Sequence, residues 1–180
     1  MRLLSLTFFL FCTLTAAQDR AIREVEVTPP YVPTPMTVVD RMLKLGELKA
    51  GEKVFDPGSG DGRIVMMAAK KYKADATGVE FDDVLQRNSM GEIKRQKLDK
   101  SARIIFGDLF AQDYSSADLV TVYLLPHFNE RLGPILEKQL KKGARIVSHD
   151  FEFPNWKPVK TELVEDDGKG RSHTLFLYVR

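Results

Sequence analysis

Residues 54–63 read VFDPGSGDGR, and the rest of the chain is organised around this stretch. It continues a β-type run that starts at Lys53, and it contains an acid followed by three glycines at alternate positions. A helical pattern begins at once, with apolar residues spaced on one face from Ile64 to Tyr72. A strand, a glycine turn and a helix in this order predict a turn at which a nucleotide-like ligand meets a helix N-terminus.

The spacing of the glycines indicates which ligand is bound. A dinucleotide-binding turn reads G-x-G-x-x-G, but here Arg63 stands at the third glycine position and Gly62 comes one residue earlier. A P-loop is excluded because no Gly-Lys-Ser/Thr sequence follows. The pattern D-x-G-x-G-x-G instead resembles motif I of the class I S-adenosylmethionine (SAM) methyltransferases. An acid and three alternating glycines exceed what a tight turn without a ligand requires.

Length and composition limit the possible classes of protein. The chain has 180 residues, of which 43% are hydrophobic and 29% charged, and these values are ordinary for one soluble globular domain. The net charge is only +2, so no nucleic acid is expected as a partner. Basic residues within 93–103 and 138–145 are interpreted as solvated helix faces.

The first residues differ from the rest. A basic residue at position 2, an apolar run over residues 3–14 and small residues up to Ala17 predict a signal peptide, residues 1–17. We therefore expect export to the periplasm or secretion. An uncleaved leader is the alternative, and it would associate the protein with a membrane. Cys12 is the only cysteine, so the processed chain would have neither a disulfide nor a thiol nucleophile.

Residues 18–35 are predicted to form a polar lead-in and a proline-rich arm, before a methyltransferase domain over residues 36–180. The prolines of TPPYVPTP, residues 28–35, predict a stiff extended segment. Thr34 is predicted to cap a helix that ends near Gly46. Tyr31 is a candidate functional residue because the arm should lie close to the glycine turn.

An acid stands at the end of each of the first three predicted strands. Asp56 ends the first, Glu80 ends the second strand from Ala74, and Asp108 follows the third. Because parallel strands end at one edge of the sheet, these carboxylates should converge where ligands bind. At its position Glu80 would reach ribose hydroxyls, and Asp108 could accept a hydrogen bond from an adenine amino group.

The remaining pattern completes the fold class. It predicts a fourth strand, a helix interrupted at Gly133-Pro134, a fifth strand and a final hairpin; the strands span residues 117–125, 144–148, 159–165 and 173–180. The expected fold is α/β: a Rossmann-like, seven-stranded class I methyltransferase sandwich, with a mostly parallel sheet and a C-terminal antiparallel hairpin.

Further segments carry a more specific resemblance. The segments are PYVPT at residues 30–34, GVE at 78–80, GDL at 107–109 and FEFPNWKP at 151–158. Together with the glycine turn, they resemble the lysine methyltransferase family that includes the ATP synthase c-subunit and adenine nucleotide translocase enzymes. The resemblance covers about residues 29–180.

The resemblance implies a site for SAM, the expected cofactor. Its members would be Asp56, Gly58 and Gly60 for the methionine part, Glu80 for the ribose and Asp108 for the adenine. Ser59 of the glycine turn is a further candidate for cofactor binding. There are two departures from the family pattern. Pro57 stands where leucine is usual, and His149-Asp150 stands where a basic residue is expected. The second departure leaves the choice of substrate open.

A lysine acceptor adds one chemical demand, because its amine must lose a proton before it attacks. Burial beside aromatic rings would favour the neutral amine, and the rings would tolerate the cationic product. The candidates for this channel are Tyr31, Tyr123, Phe128 and Trp156, with His127 or His149 as proton acceptor. A role as hydrogen-bonded strand-end residues is equally open for the histidines, and packing against the sheet is equally open for Trp156.

Other reactions are disfavoured by the end of the fourth strand. Residues 123–126 read YLLP, without the Asn/Asp/Ser-Pro-Pro-Tyr/Phe segment of enzymes that methylate adenine or glutamine amino groups. No metal-ligand pattern is evident, so no metal ion is expected. The predicted function is a SAM-dependent protein-lysine N-methyltransferase with a lysine-bearing protein as substrate. The alternatives are a small-molecule N- or O-methyltransferase and a catalytically silent SAM-binding protein.

Overall fold

The computed structural model describes residues 31–180. The predicted signal peptide and most of the proline-rich arm lie outside these residues. The domain described below is Val32–Arg180, and Tyr31 lies outside it. Within the described part of the chain, no helix is both long and apolar enough to cross a membrane.

The domain is built on a seven-stranded sheet with the order β3-β2-β1-β4-β5-β7-β6. Its strands are β1 (Lys53–Pro57), β2 (Asp75–Glu80), β3 (Ala102–Phe106), β4 (Leu119–Val122), β5 (Arg145–His149), β6 (Lys160–Val164) and β7 (His173–Val179). Strands β1 to β5 are parallel, and β7 is antiparallel to both β5 and β6. The predicted fold class is therefore confirmed.

Helices cover both faces of the sheet. They are α1 (Met36–Leu45), α2 (Arg63–Tyr72), α3 (Asp83–Arg95) and α4 (Pro126–Gln139), with a 3-10 turn at Leu109–Ala111. The first three helices share one apolar core, and α4 contributes to the other. Successive side chains along a strand point to opposite faces of the sheet. In β4, Leu119 therefore lies in the first core and Val120 in the second.

Two predictions about the fourth βα unit are wrong. Strand β4 ends at Val122 rather than at residue 125, and α4 continues through Gly133 and Pro134 without interruption. A proline inside a helix loses one backbone hydrogen bond. Here the buried Leu132 and Leu136 anchor the helix on both sides of the proline, and this packing outweighs the lost bond.

Thr34 does not cap α1, as the sequence predicted. The helix starts after Pro35 without a side-chain cap. Instead, the buried Thr34 hydroxyl lies 3.3 Å from His149 Nδ1, and the Thr34 carbonyl accepts a 2.9 Å hydrogen bond from the guanidinium of Arg63. Because Arg63 directly follows the glycine turn, Thr34 lies close to that turn, whereas the proximity of Tyr31 to the turn stays a prediction.

Candidate active site

The glycine turn lies where the strand order reverses. Strand β1 pairs with β2 on one side and β4 on the other, and the helices that follow β1 and β4 lie on opposite faces. Such a switch point leaves a crevice at the carboxyl ends of the strands. Gly58, Gly60 and Gly62 have φ values of 76°, 55° and 74°, a backbone conformation that favours glycine. At Gly58 a Cβ atom would also lie 2.8 Å from Leu124 Cδ2.

Asp56 is a buried carboxyl at this switch point, with 3% of its surface exposed. Burial raises the pKa of Asp56 to about 7; the carboxylates of Glu80 and Asp61 raise it further, while a hydrogen bond from Thr121 opposes the shift. That bond runs from Thr121 Oγ1 to Asp56 Oδ1 over 2.8 Å. A cationic ligand would stabilise the ionised form of Asp56 that burial disfavours.

Glu80 joins the end of β2 to the glycine turn. Its Oε2 accepts a 2.7 Å hydrogen bond from the amide of Gly60, and its Oε1 accepts 2.9 Å bonds from the amides of Phe81 and Asp82. A carboxylate offers about four acceptor positions. Three are therefore used within the protein, and one remains for a ligand hydroxyl.

Asp108 lies at the same edge of the sheet. Glu80 is paired with Phe106, and the amide of Gly107 donates a 3.0 Å hydrogen bond to the Glu80 carbonyl. Asp108 is exposed, and its Oδ1 caps the following turn by accepting a 2.8 Å bond from Phe110. This register confirms that the three strand ends lie at one edge of the sheet. The convergence of the three carboxylates on one ligand, and the binding role of each acid, stay predictions.

The side chain of Ser59 turns toward the sheet. Only 7% of Ser59 is exposed, and a Cβ atom at Gly78 would lie 2.5 Å from its Oγ. Within residues 31–180 this hydroxyl has no hydrogen-bond partner. Gly78 is thus required beneath the turn, a role that sequence reasoning missed.

Tyr123 and His127 occupy the loop and first helical turn after β4. The Tyr123 ring packs on His149 at a centroid distance of 3.9 Å and on Phe151 at 6.3 Å. Burial raises the pKa of Tyr123, and the charge of Asp150 contributes. His127 is exposed and lies 4.4 Å from the ring of Phe128. Tyr123, His149 and Phe151 thus form an aromatic wall beyond the end of β4.

Trp156 lies in a different place. Its ring stacks on Phe153 at 4.7 Å and meets Tyr178 edge-on at 5.7 Å. Tyr178 pairs with Ile146, near the start of β5, whereas the aromatic wall includes His149 at its end. The structure therefore does not bring Trp156 to the strand ends, and its contacts favour packing. The roles proposed for Tyr31 and for Phe128, which is buried against Phe110, stay predictions.

His149 is fully buried, so it could not reach a substrate in this conformation. Its Nδ1 faces Thr34 Oγ1, and its Nε2 lies 2.9 Å from His173 Nδ1. Burial lowers the pKa of His149 to about 4; Asp150 opposes the shift and His173 adds to it. These contacts favour the alternative of a hydrogen-bonded residue at the strand end.

The strand order, the glycine turn and the buried acid define a class I methyltransferase. A match to the ANTKMT methyltransferase domain family extends over residues 56–160. A protein-lysine N-methyltransferase of Saccharolobus islandicus is 44% identical over 83% of this chain and 92% of its own length. The chain belongs to the ANTKMT methyltransferase domain family, and it is a SAM-dependent enzyme.

Two further relatives show how far the similarity extends. The human lysine N-methyltransferase of the ATP synthase c-subunit is 33% identical over 74% of this chain, but the match covers only 56% of the human protein. A crystal structure described as an RNA methyltransferase from Salinibacter ruber in complex with S-adenosyl-L-homocysteine is 40% identical, with a TM-score of 0.76. That match covers 82% of this chain and 93% of the other.

The residues at the switch point fit SAM. Its sulfonium and ammonium groups are cations, and the buried Asp56 provides a carboxylate for which a positive partner is favourable. The glycine turn keeps side chains away from the crevice, and Glu80 retains one acceptor position for a hydroxyl.

SAM binding is expected to strengthen as the pH rises through about 7, because the cationic ligand prefers ionised Asp56 and the pKa of this carboxyl is raised to about 7. Between pH 6 and pH 8 the affinity should rise about tenfold. Calorimetric titration in buffers of different ionisation enthalpy measures the linked protons. Nearly one proton should be released per SAM at pH 6 and almost none at pH 8; equal release at both would contradict the expectation.

Proposed function

We propose that this enzyme transfers a methyl group to the ε-amino group of a lysine in a protein substrate. The proposal rests chiefly on one observation: an aromatic wall of Tyr123, His149 and Phe151 stands beyond β4, next to the strand that carries Asp56. The 44% identity to an archaeal protein-lysine N-methyltransferase, of which the match covers 92%, supports it.

Bound SAM supplies an activated methyl group for in-line displacement, so the protein contributes mainly position and exclusion of water. Asp56 and Glu80 would hold the methyl donor, and the glycine turn lets it approach the backbone. Tyr123 and Phe151 would receive the side chain of the acceptor lysine. Apolar surroundings lower the pKa of an amine, and aromatic faces stabilise the cationic product.

RNA is the competing class of substrate, because a structure with 40% identity is described as an RNA methyltransferase. The net charge of +2 disfavours RNA, since phosphate binding depends on dense positive charge. The glycine turn and its acids would bind SAM in the same way in either case. Only the residues that contact the methyl acceptor can therefore discriminate between a protein lysine and RNA.

The experiment gives the purified protein labelled SAM together with lysine-containing peptides, the same peptides with every lysine replaced by arginine, RNA, and a panel of small amines. We expect label only in the lysine peptides, with mass spectrometry locating the methyl group on the side chain. Label in RNA alone would overturn the proposal, and label only in small amines would support the alternative of a small-molecule enzyme.

A matched pair of variants tests the aromatic wall. Tyr123→Phe keeps the ring that packs on His149 and should retain most of the peptide activity. Tyr123→Ala removes the ring and should lose about tenfold or more, with SAM affinity unchanged in both. Equal activity of the two variants would show that the wall does not receive the lysine.

A further inference from the structure

We propose that His149, Asp150 and His173 form a binding site for one divalent first-row transition metal ion of the zinc type. Among the described residues, these three place one potential ligand atom each within 4.8 Å of the others. His149 Nε2 lies 2.9 Å from His173 Nδ1, and Asp150 Oδ2 lies 3.1 Å from His173 Nδ1 and 3.3 Å from His149 Nε2. Sequence reasoning predicted no metal site, because His173 lies far along the chain from the other two.

The separations match those of metal ligands. A metal ion bound at about 2.0–2.2 Å from nitrogen and oxygen ligands requires these atoms to lie roughly 3 Å apart. All three observed separations fall near this value. Two imidazoles and one carboxylate are also a common donor set for zinc and for other divalent ions of the first transition row.

Asp167 orients the ring of His173 from the side away from the cluster. Its carboxylate is paired with Arg171 and lies 3.5 Å from His173 Nε2. A proton on His173 Nε2 would point to Asp167, and Nδ1 would then present its lone pair toward His149 Nε2 and Asp150 Oδ2. Either a proton on His149 Nε2 or a metal ion fits between the three atoms, and the titration below distinguishes the two.

Each proposed ligand is oriented by a second contact. His149 Nδ1 faces Thr34 Oγ1 at 3.3 Å, His173 Nε2 faces Asp167, and Asp150 Oδ1 accepts a 2.9 Å hydrogen bond from the amide of Thr174. In metal sites, the ring nitrogen that does not bind the metal is normally held by such a partner. The cluster has this outer arrangement at all three ligands.

The backbone at Asp150 lies in the left-handed region, with a φ value of 58°. Aspartate is one of the few residues other than glycine that adopt this region readily. This conformation follows the end of β5 and keeps the carboxylate beside both imidazoles. The Asp150 side chain is 28% exposed, whereas those of the two histidines are 0% and 8% exposed. Water could therefore complete the coordination from the Asp150 side.

The ion would order the part of the enzyme that is proposed to receive the methyl acceptor, next to the aromatic wall. It would join the end of β5 to the start of β7, and through His149 it would fix the ring on which Tyr123 packs. Its existence does not depend on the acceptor being a lysine, so the site can be tested without an activity assay.

The test uses the full chain without an affinity tag, treated with a chelator and then titrated with Zn²⁺ in a calorimeter. We expect one equivalent to bind and the melting temperature to rise. Co²⁺ should bind at the same site and give the intense visible absorption bands of a four- or five-coordinate ion. Absence of both heat and thermal shift with excess Zn²⁺ would show that a proton occupies the position, and would overturn the proposal.

Variants assign the ligands. His173→Ala and Asp150→Asn should each weaken Zn²⁺ binding by about 100-fold or more, because loss of a ligand costs more than loss of an orienting partner. Thr34→Val removes only an orienting contact and should weaken binding about tenfold. His127→Asn, outside the cluster and exposed, is the matched control and should bind like the wild type. The wild-type titration and the Co²⁺ spectrum decide the question even if a ligand variant does not fold, and unchanged affinity in folded His173→Ala would refute the assignment.

Discussion

An Asp56→Asn variant is expected to lose SAM binding by roughly 30-fold to several thousand-fold, which corresponds to about 2–5 kcal/mol for a buried charge deprived of its partner. The substitution keeps the size of the side chain, and its amide oxygen can still accept the hydrogen bond from Thr121. Only the charge at the switch point is removed. Calorimetric titration with SAM measures the loss.

The same variant should be more stable than the wild type at neutral and higher pH in the absence of ligand. The pKa of Asp56 is raised from 3.8 to about 7, so the folded protein holds a proton that the unfolded chain has released. The free energy of unfolding of the wild type therefore falls as the pH rises from about 4 to about 7. Above pH 7 the total loss is on the order of a few kcal/mol. The neutral asparagine side chain of the variant would not incur this cost.

The control for Asp56→Asn is Asp75→Asn at the opposite end of β2, where the carboxylate forms an exposed ion pair with Arg103. This variant should bind SAM normally and change stability by less than about 1 kcal/mol. If Asp56→Asn keeps wild-type affinity, or unfolds more readily than the wild type at pH 8, the assignment of Asp56 is wrong.

The parts of the site that could be predicted from the sequence are those that depend on chain order. Glycines at alternate positions after a strand, and an acid at each following strand end, define one edge of a parallel sheet. The direction in which a side chain points was harder to predict from the sequence. Ser59 lies inside the turn, yet its hydroxyl packs over Gly78, and no periodic pattern in the sequence indicates this direction.

Long-range partners account for what could not be predicted. Thr34 is a residue type that often caps helices, but here its hydroxyl faces the buried His149 and its carbonyl accepts a hydrogen bond from Arg63. Trp156 is surrounded by aromatic residues in sequence, and the antiparallel pairing of β7 with β5 decides which of them it meets. Neither contact leaves a periodic signal in a single sequence.

Replacing Glu80 with glutamine is expected to impair both SAM binding and folding, in contrast to the change at Asp56. Both oxygens of Glu80 accept hydrogen bonds from backbone amides, over 2.7 Å from Gly60 and 2.9 Å from Phe81 and Asp82. A glutamine has one acceptor oxygen, so in either orientation its amino group faces a backbone donor. The lowest cost arises when the oxygen keeps Phe81 and Asp82 and the amino group faces Gly60.

Gly60 then loses its partner, and the glycine turn is released from the end of β2. An unsatisfied buried amide costs about 1–3 kcal/mol, so the free energy of unfolding in urea should fall by this amount. SAM affinity should fall by about 100-fold or more, because the turn and the acceptor for a ligand hydroxyl are disturbed together. Glu165→Gln, at an exposed position after β6, is the matched control and should change neither quantity. If Glu80→Gln loses binding at unchanged stability, Glu80 serves the ligand alone; if it loses stability but binds SAM normally, Glu80 serves only the turn.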